Sequence, residues 1–100
     1  MHHSIEKRWL IKKFILKHMN EATSPLSEEA KNFKPGLYRH FKGGTYRAWF
    51  VGRSSEARDQ EFVIYQSLDL GFIWIRPLAM FLEEVDVNGK KIPRFEYVGE

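Results

Sequence analysis

The chain changes character at Pro35-Gly36, and that break constrains the fold more than any other feature. All seven glycines and 12 of the 15 aromatic residues lie beyond it. Before it, leucine, isoleucine, lysine and glutamate dominate and no glycine occurs. Glycine-punctuated aromatic runs favour short strands and turns, whereas a glycine-free aliphatic and charged segment favours helix. The sequence therefore predicts two parts: a helical N-terminal extension over 1–35 and a small β domain over 36–100.

In the first part the spacing predicts a helix over residues 4–19, capped by Ser4. Ile5, Trp9, Ile11, Ile15, Leu16 and Met19 fall on one broad arc of that helix, and Leu10 with Phe14 forms a second stripe. Two stripes call for two covers, the β domain and a second copy of the chain, so a homodimer through this helix is expected. A second, shorter helix is expected within 23–33. Ser24 or Ser27 serves as its cap, Pro25 suits its first position, and Glu28 and Glu29 suit its positive end.

Beyond Gly36 the pattern predicts strands at 37–42, 45–53, 61–68, 72–76, 84–88 and 91–98. Asn88-Gly89 is a strong hairpin signal, because both central residues of a type I′ turn need positive φ. Sequentially adjacent strands in so short a chain point to an antiparallel barrel, whose closure removes exposed edges. The expected fold is thus mainly β with N-terminal helices: a small SH3-like barrel preceded by an α-helical arm.

The composition closes off several chemistries. Without cysteine there are no disulfides, thiolate metal sites or thiol nucleophiles. No run reaches the ~18 apolar residues of a spanning helix, and Lys12, Lys13 and Lys17 interrupt "RWLIKKFILKHM", so neither a span nor a secretory signal is expected. The expected location is cytoplasmic. His2 and His3 resemble a tag remnant and receive no role. The net charge of +3 is uneven, with seven Lys/Arg against four Asp/Glu in residues 1–35 and nine of each in 36–100. The basic excess of the first part suits an acidic partner, although a solvated helix face accounts for it equally.

The stretches "PGLYRHFKGGTYRAW", "VIYQSL" and "WIRPLAMFLEEVDVNGKKIPRFEYV" resemble a bacterial family, domain-of-unknown-function family 1653. The matching positions are Pro35–Gly43, Tyr65-Gln66, Trp74–Phe81 and Pro93–Phe95, and the likeness covers residues 35–98. Two departures stand out. Ser54 occupies a position that is usually histidine in such proteins, and Ser67-Leu68-Asp69-Leu70-Gly71 replaces a Tyr-Gly-Asp turn. The resemblance implies a fold and no activity.

Arg76 is the residue that most demands an account, standing in "IWIRPLAMF" before a proline. Strand alternation puts Phe72, Trp74 and Arg76 on one face and Ile73 and Ile75 on the other. The isoleucines read as core, which leaves Arg76 beside Trp74 on the opposite face. A structural reading pairs Arg76 with Asp69, Glu83 or Glu84. A functional reading makes it an anion ligand in a groove with Trp74, His40, Tyr38, Tyr46 and Tyr65. His40, the one histidine of the β domain, is either a hydrogen-bonded structural residue or a ligand donor.

No spacing supports a metal site, a cofactor fingerprint or a nucleophile elbow. "KGGT" at 42–45 is a turn and lacks phosphate-loop spacing. The leading expectation is a non-catalytic binding module for a peptide, a protein or a small anionic ligand. The alternative is a nucleic-acid-binding accessory domain using Lys12, Lys13 and Lys17, with aromatic and basic residues interleaved in the strands. An enzyme using His40 and Arg76 ranks third.

Overall fold

The computed structural model describes residues 10–12 and 25–100. Leu10, Ile11 and Lys12 are helical and exposed. The rest of the helix expected over 4–19, and the dimer contact assigned to it, lie outside the described residues, as do Lys13 and Lys17.

The second expected helix is a single turn, α1 (Glu28–Lys31). Ser27 is its cap and accepts a hydrogen bond from the Ala30 N–H at 3.1 Å. The same hydroxyl donates to Glu61 Oε1 at 2.5 Å, and the Ser27 N–H donates to Glu61 Oε2 at 2.9 Å. One serine therefore starts α1 and ties it to a strand 34 residues away. Pro25 precedes the cap instead of opening the helix, which makes α1 shorter than the sequence suggests.

Seven strands follow: β1 (Gly36–His40), β2 (Thr45–Arg53), β3 (Glu61–Ser67), β4 (Ile73–Pro77), β5 (Glu84–Val87), β6 (Lys90–Pro93) and β7 (Phe95–Gly99). A one-turn helix, α2 (Leu78–Phe81), separates β4 from β5. The sequence reading missed α2 because its four residues are too few to show a helical period. Leu78 and Phe81 nonetheless bury themselves as consecutive turns of a helix do.

The barrel is not closed. Five antiparallel strands form an open sheet in the order β4-β3-β2-β1-β7, and β5 and β6 form a separate hairpin. Closure would need β4 to meet β7, but α2 takes the chain off the sheet immediately after β4. The Asn88-Gly89 hairpin is present as expected, with φ of 54° and 81°. Gly36 is required for a different reason. A Cβ there would lie 2.6 Å from the Gly99 carbonyl oxygen, so only glycine lets β1 and β7 approach this closely.

The sheet has two unlike faces. Register places Tyr38, Tyr46, Ala48, Val63, Tyr65, Trp74, Arg76, Phe95 and Tyr97 on the inner face. Tyr38, Ala48, Val63, Tyr65 and Phe95 are buried there beneath Leu78 and Phe81 of α2, with Ala30 and Phe33 packed alongside. Phe81 and Phe95 stack with centroids 4.2 Å apart and planes 5° off parallel.

This arrangement reverses one sequence expectation. Ile73 and Ile75 are not core: they are 63% and 68% exposed on the outer face. Alternation along β4 is as expected, but Trp74 and Arg76 face inward, opposite Tyr65 and Val63. The reversal has a packing cause. The core of this sheet is aromatic, and its remaining space near β4 is filled by the long arm of Arg76 beside Tyr65. Apolarity alone does not report which face of an edge strand is covered.

Because Phe81 is fully buried between Tyr38, Tyr65 and Phe95, Phe81→Ala is expected to destabilise the fold by about 3–5 kcal/mol. Chemical denaturation of the two proteins checks this value. Ser27→Ala, which removes the hydroxyl's cap and its bond to Glu61 Oε1 but keeps the backbone bond to Oε2, is expected to cost less, about 1–2 kcal/mol by the same measurement.

Candidate functional site

Phe95 is the floor of the site. Its ring meets those of His40 (4.9 Å), Tyr46 (5.6 Å), Tyr65 (5.4 Å) and Phe81 (4.2 Å) between centroids. The Arg76 guanidinium lies 5.7 Å above the same ring. Arg76 Nε donates to the Tyr65 hydroxyl at 3.0 Å. Cation–π contact is thus made with Phe95, where the sequence had suggested Trp74. Trp74 instead sits edge-on to Phe72 and is largely exposed at the rim.

Among the described residues no carboxylate pairs with Arg76, so Asp69, Glu83 and Glu84 do not hold it. Glu83 is engaged elsewhere: its Oε2 lies 3.5 Å from Arg94 Nη2. The Arg94 N–H donates to the Glu83 carbonyl at 2.9 Å, and the Arg94 carbonyl accepts from Phe41 N–H at 3.0 Å. Arg94 Nε is buried with no hydrogen-bond partner.

His40 sits within the positive field of Arg76, Arg94 and Lys42. Its pKa is lowered from 6.5, first by burial and then by these three charges in that order. The hydrogen bonding agrees. His40 Nδ1 accepts from the Lys42 N–H at 3.1 Å, which leaves the proton of a neutral ring on Nε2. The site therefore presents a guanidinium with no carboxylate partner among the described residues and an N–H donor against the Phe95 ring, with Lys42 and the Glu83-paired Arg94 nearby. Such a set can hold an anionic group by charge-assisted hydrogen bonds.

Not every candidate residue is available to a ligand. Tyr38 is buried, and its hydroxyl donates to the Lys34 carbonyl at 2.6 Å. Burial, and then the nearby Tyr97, push its pKa up to about 12. Tyr65 is buried too and positions Arg76 from below. His40, Tyr46, Trp74 and Arg76 retain exposed surface. Arg94 and Phe95 were not foreseen as site residues. The signal for Phe95 was present in the alternation Phe95, Tyr97 against Glu96, Val98.

Two clefts among the described residues lie beside this cluster. One, of about 750 Å³, runs past Ser27, Glu29, Glu61, Pro77 and Leu82. The other, of about 480 Å³, is lined by Phe33, Tyr38, Phe95 and Tyr97 among others. Neither is lined by Arg76 or His40, which are partly exposed. Lys12 is exposed and distant in sequence from these strands. Among the described residues no cluster of three or more His, Asp or Glu could hold a metal, and no helix is long and apolar enough to cross a membrane.

The model of a family described as protein of unknown function (DUF1653) matches residues 36–97. The chain belongs to this family. A crystal structure of a DUF1653 protein from Bordetella bronchiseptica is similar, at 38% identity and a TM-score of 0.63. The similarity covers 70% of this chain and 92% of that one. No curated protein matches. Within this DUF1653 domain, both departures noted in the sequence shape turns. Ser54 Oγ accepts from the Glu56 and Ala57 N–H groups at 3.2 and 3.1 Å. Ser67 is buried, and its Oγ accepts from the Leu70 N–H at 3.1 Å.

A lowered histidine pKa makes stability depend on pH in a defined sense. The unfolded chain takes up a proton on His40 before the folded one does. The stabilisation is complete above 6.5 and declines as pH falls below that value toward the folded pKa. Melting temperature should therefore drop on acidification through this window, and the drop should be smaller in His40→Asn. His2, His3 and His18 lie outside the described residues. Equal acid sensitivity of the two proteins would show that His40 is not held neutral.

Proposed function

We propose that this DUF1653 domain is a non-catalytic binding module for an acidic segment of a peptide or protein. The observation that carries the reading is Arg76, oriented by Tyr65 and Phe95 and unpaired with any carboxylate among the described residues. An arginine set in place by a phenol and a ring keeps its terminal guanidinium nitrogens for an incoming carboxylate or phosphate. Its planar fork suits two parallel hydrogen bonds to such a group.

The partial exposure of His40, Tyr46, Trp74 and Arg76 favours a ligand that is part of a larger molecule. Small molecules are usually held in enclosed pockets. A side chain presented on a peptide needs only the charged head met, while flanking residues lie over Trp74 and Tyr46 at the rim. The hydrogen bond at His40 Nδ1 also favours binding over proton abstraction. It leaves Nε2–H as a donor and no free ring lone pair for a general base.

The test is an NMR titration with a short glutamate-rich peptide, with inorganic phosphate as a second probe. Peptide binding should perturb the Arg76 and His40 side-chain signals and raise the His40 pKa, since an anion offsets the local positive field. Arg76→Gln should fold and weaken peptide binding by about tenfold or more, equivalent to ~1.4 kcal/mol. Perturbation by phosphate and not by peptide would recast the ligand as a free small anion. Equal affinity in wild type and Arg76→Gln would remove the reading.

A further inference from the structure

The outer face of the sheet carries a second, unrelated feature. Phe50, Ile64 and Ile75 lie in one row across β2, β3 and β4, and Ile73 and Phe62 flank that row. Phe50 is 59% exposed and Ile75 68%, and Trp49 stands out of the β2 irregularity beside them. Gly52 brings its backbone against Ile64, since a Cβ there would meet Ile64 Cδ1 at 3.2 Å, and so the patch stays flat. No element of the described chain covers it.

β4 adds to this surface. It is the last strand of the sheet, so one edge has no partner among the described residues. Natural edge strands are blunted by lysine, bulges or inward charge. β4 pairs with β3 without a register shift, and its outward side chains are Ile73, Ile75 and Pro77. Its blunting devices are the proline at its end and the inward-facing Arg76, and neither puts a charge on the outer face.

We infer that this face, ending at the β4 edge, is an interface between two copies of the chain. Size supports a second copy. The exposed parts of Trp49, Phe50, Ile73 and Ile75 amount to roughly 500 Å² at ~200 Å² per large side chain. Two such faces bury about 1,000 Å², and the adjoining strand edges bring the total into the range of specific interfaces. Symmetry supports it as well. An uncharged apolar row that reaches a sheet edge is complementary to its own copy across a two-fold axis. Charge sets the register: Arg47 lies on this face two strands in from β4, so pairing centred on β4 keeps the two Arg47 side chains apart.

Sedimentation of the full chain across the micromolar range tests the inference. Wild type should form a dimer, and Ile75→Lys should raise its dissociation constant by at least ~10-fold, with the circular dichroism spectrum unchanged. Phe50→Lys, two strands from the edge, should act the same way and serves if Ile75→Lys does not fold. Amide exchange in β4 should slow as wild-type concentration rises. A wild type that stays monomeric overturns the proposal. A dimer untouched by both lysine variants but dissolved by Phe14→Lys also overturns it, moving the contact to the N-terminal segment. A monomer whose β4 amides are protected at every concentration overturns it too, by assigning the cover to the chain's own N-terminal residues.

Discussion

The contact on which this structure depends is the stack of Phe81 on Phe95. One ring comes from a single helical turn and the other from the last strand. Parallel rings at this separation exclude water and fix two distant parts of a short chain against each other. Tyr38 and Tyr65 close around the pair edge-on, at 5.1 and 5.3 Å from Phe81. An open five-stranded sheet of this size has little aliphatic material, and so its core is built from rings.

That choice of core dictates the chemistry above it. Ring faces tolerate a cation where aliphatic side chains do not, so Arg76 can point inward without a carboxylate. The Tyr65 hydroxyl, which needs a partner when buried, meets Arg76 Nε. His40 then sits partly buried among positive charges that disfavour its protonation. A structural requirement for packing and a surface suited to an anion thus arise from the same residues. The outer face across β2, β3 and β4, with no such rings over it among the described residues, is left apolar and flat.

Much of this was legible in the sequence. Glycine placement and alternation located β1 to β5 to within a residue or two, and Asn88-Gly89 announced its turn because few other pairs adopt positive φ twice in succession, but the single strand expected over 91–98 is two, β6 and β7, which break at Arg94 and belong to different sheets. Arg76 stood out in the sequence because its neighbours are apolar. Three features were hidden for physical reasons. The open sheet depends on where α2 leaves it, and one helical turn has no period to read. The orientation of β4 was inverted because both of its faces are apolar, and only its pairing with Val63 and Tyr65 reveals which is covered. The role of Phe95 as a floor for His40 and Arg76 depends on contacts between strands far apart in sequence, which no local pattern encodes.

The central claim is that Arg76 is held over the Phe95 ring by Tyr65 and carries no carboxylate partner among the described residues. Side-chain NMR of arginine measures this directly. The account predicts that the Arg76 δ protons are shifted upfield by the ring and that its Nε–H exchanges slowly, with both effects reduced in Tyr65→Phe. Arg76 signals at unfolded-chain positions with rapid Nε–H exchange in the wild type would contradict it.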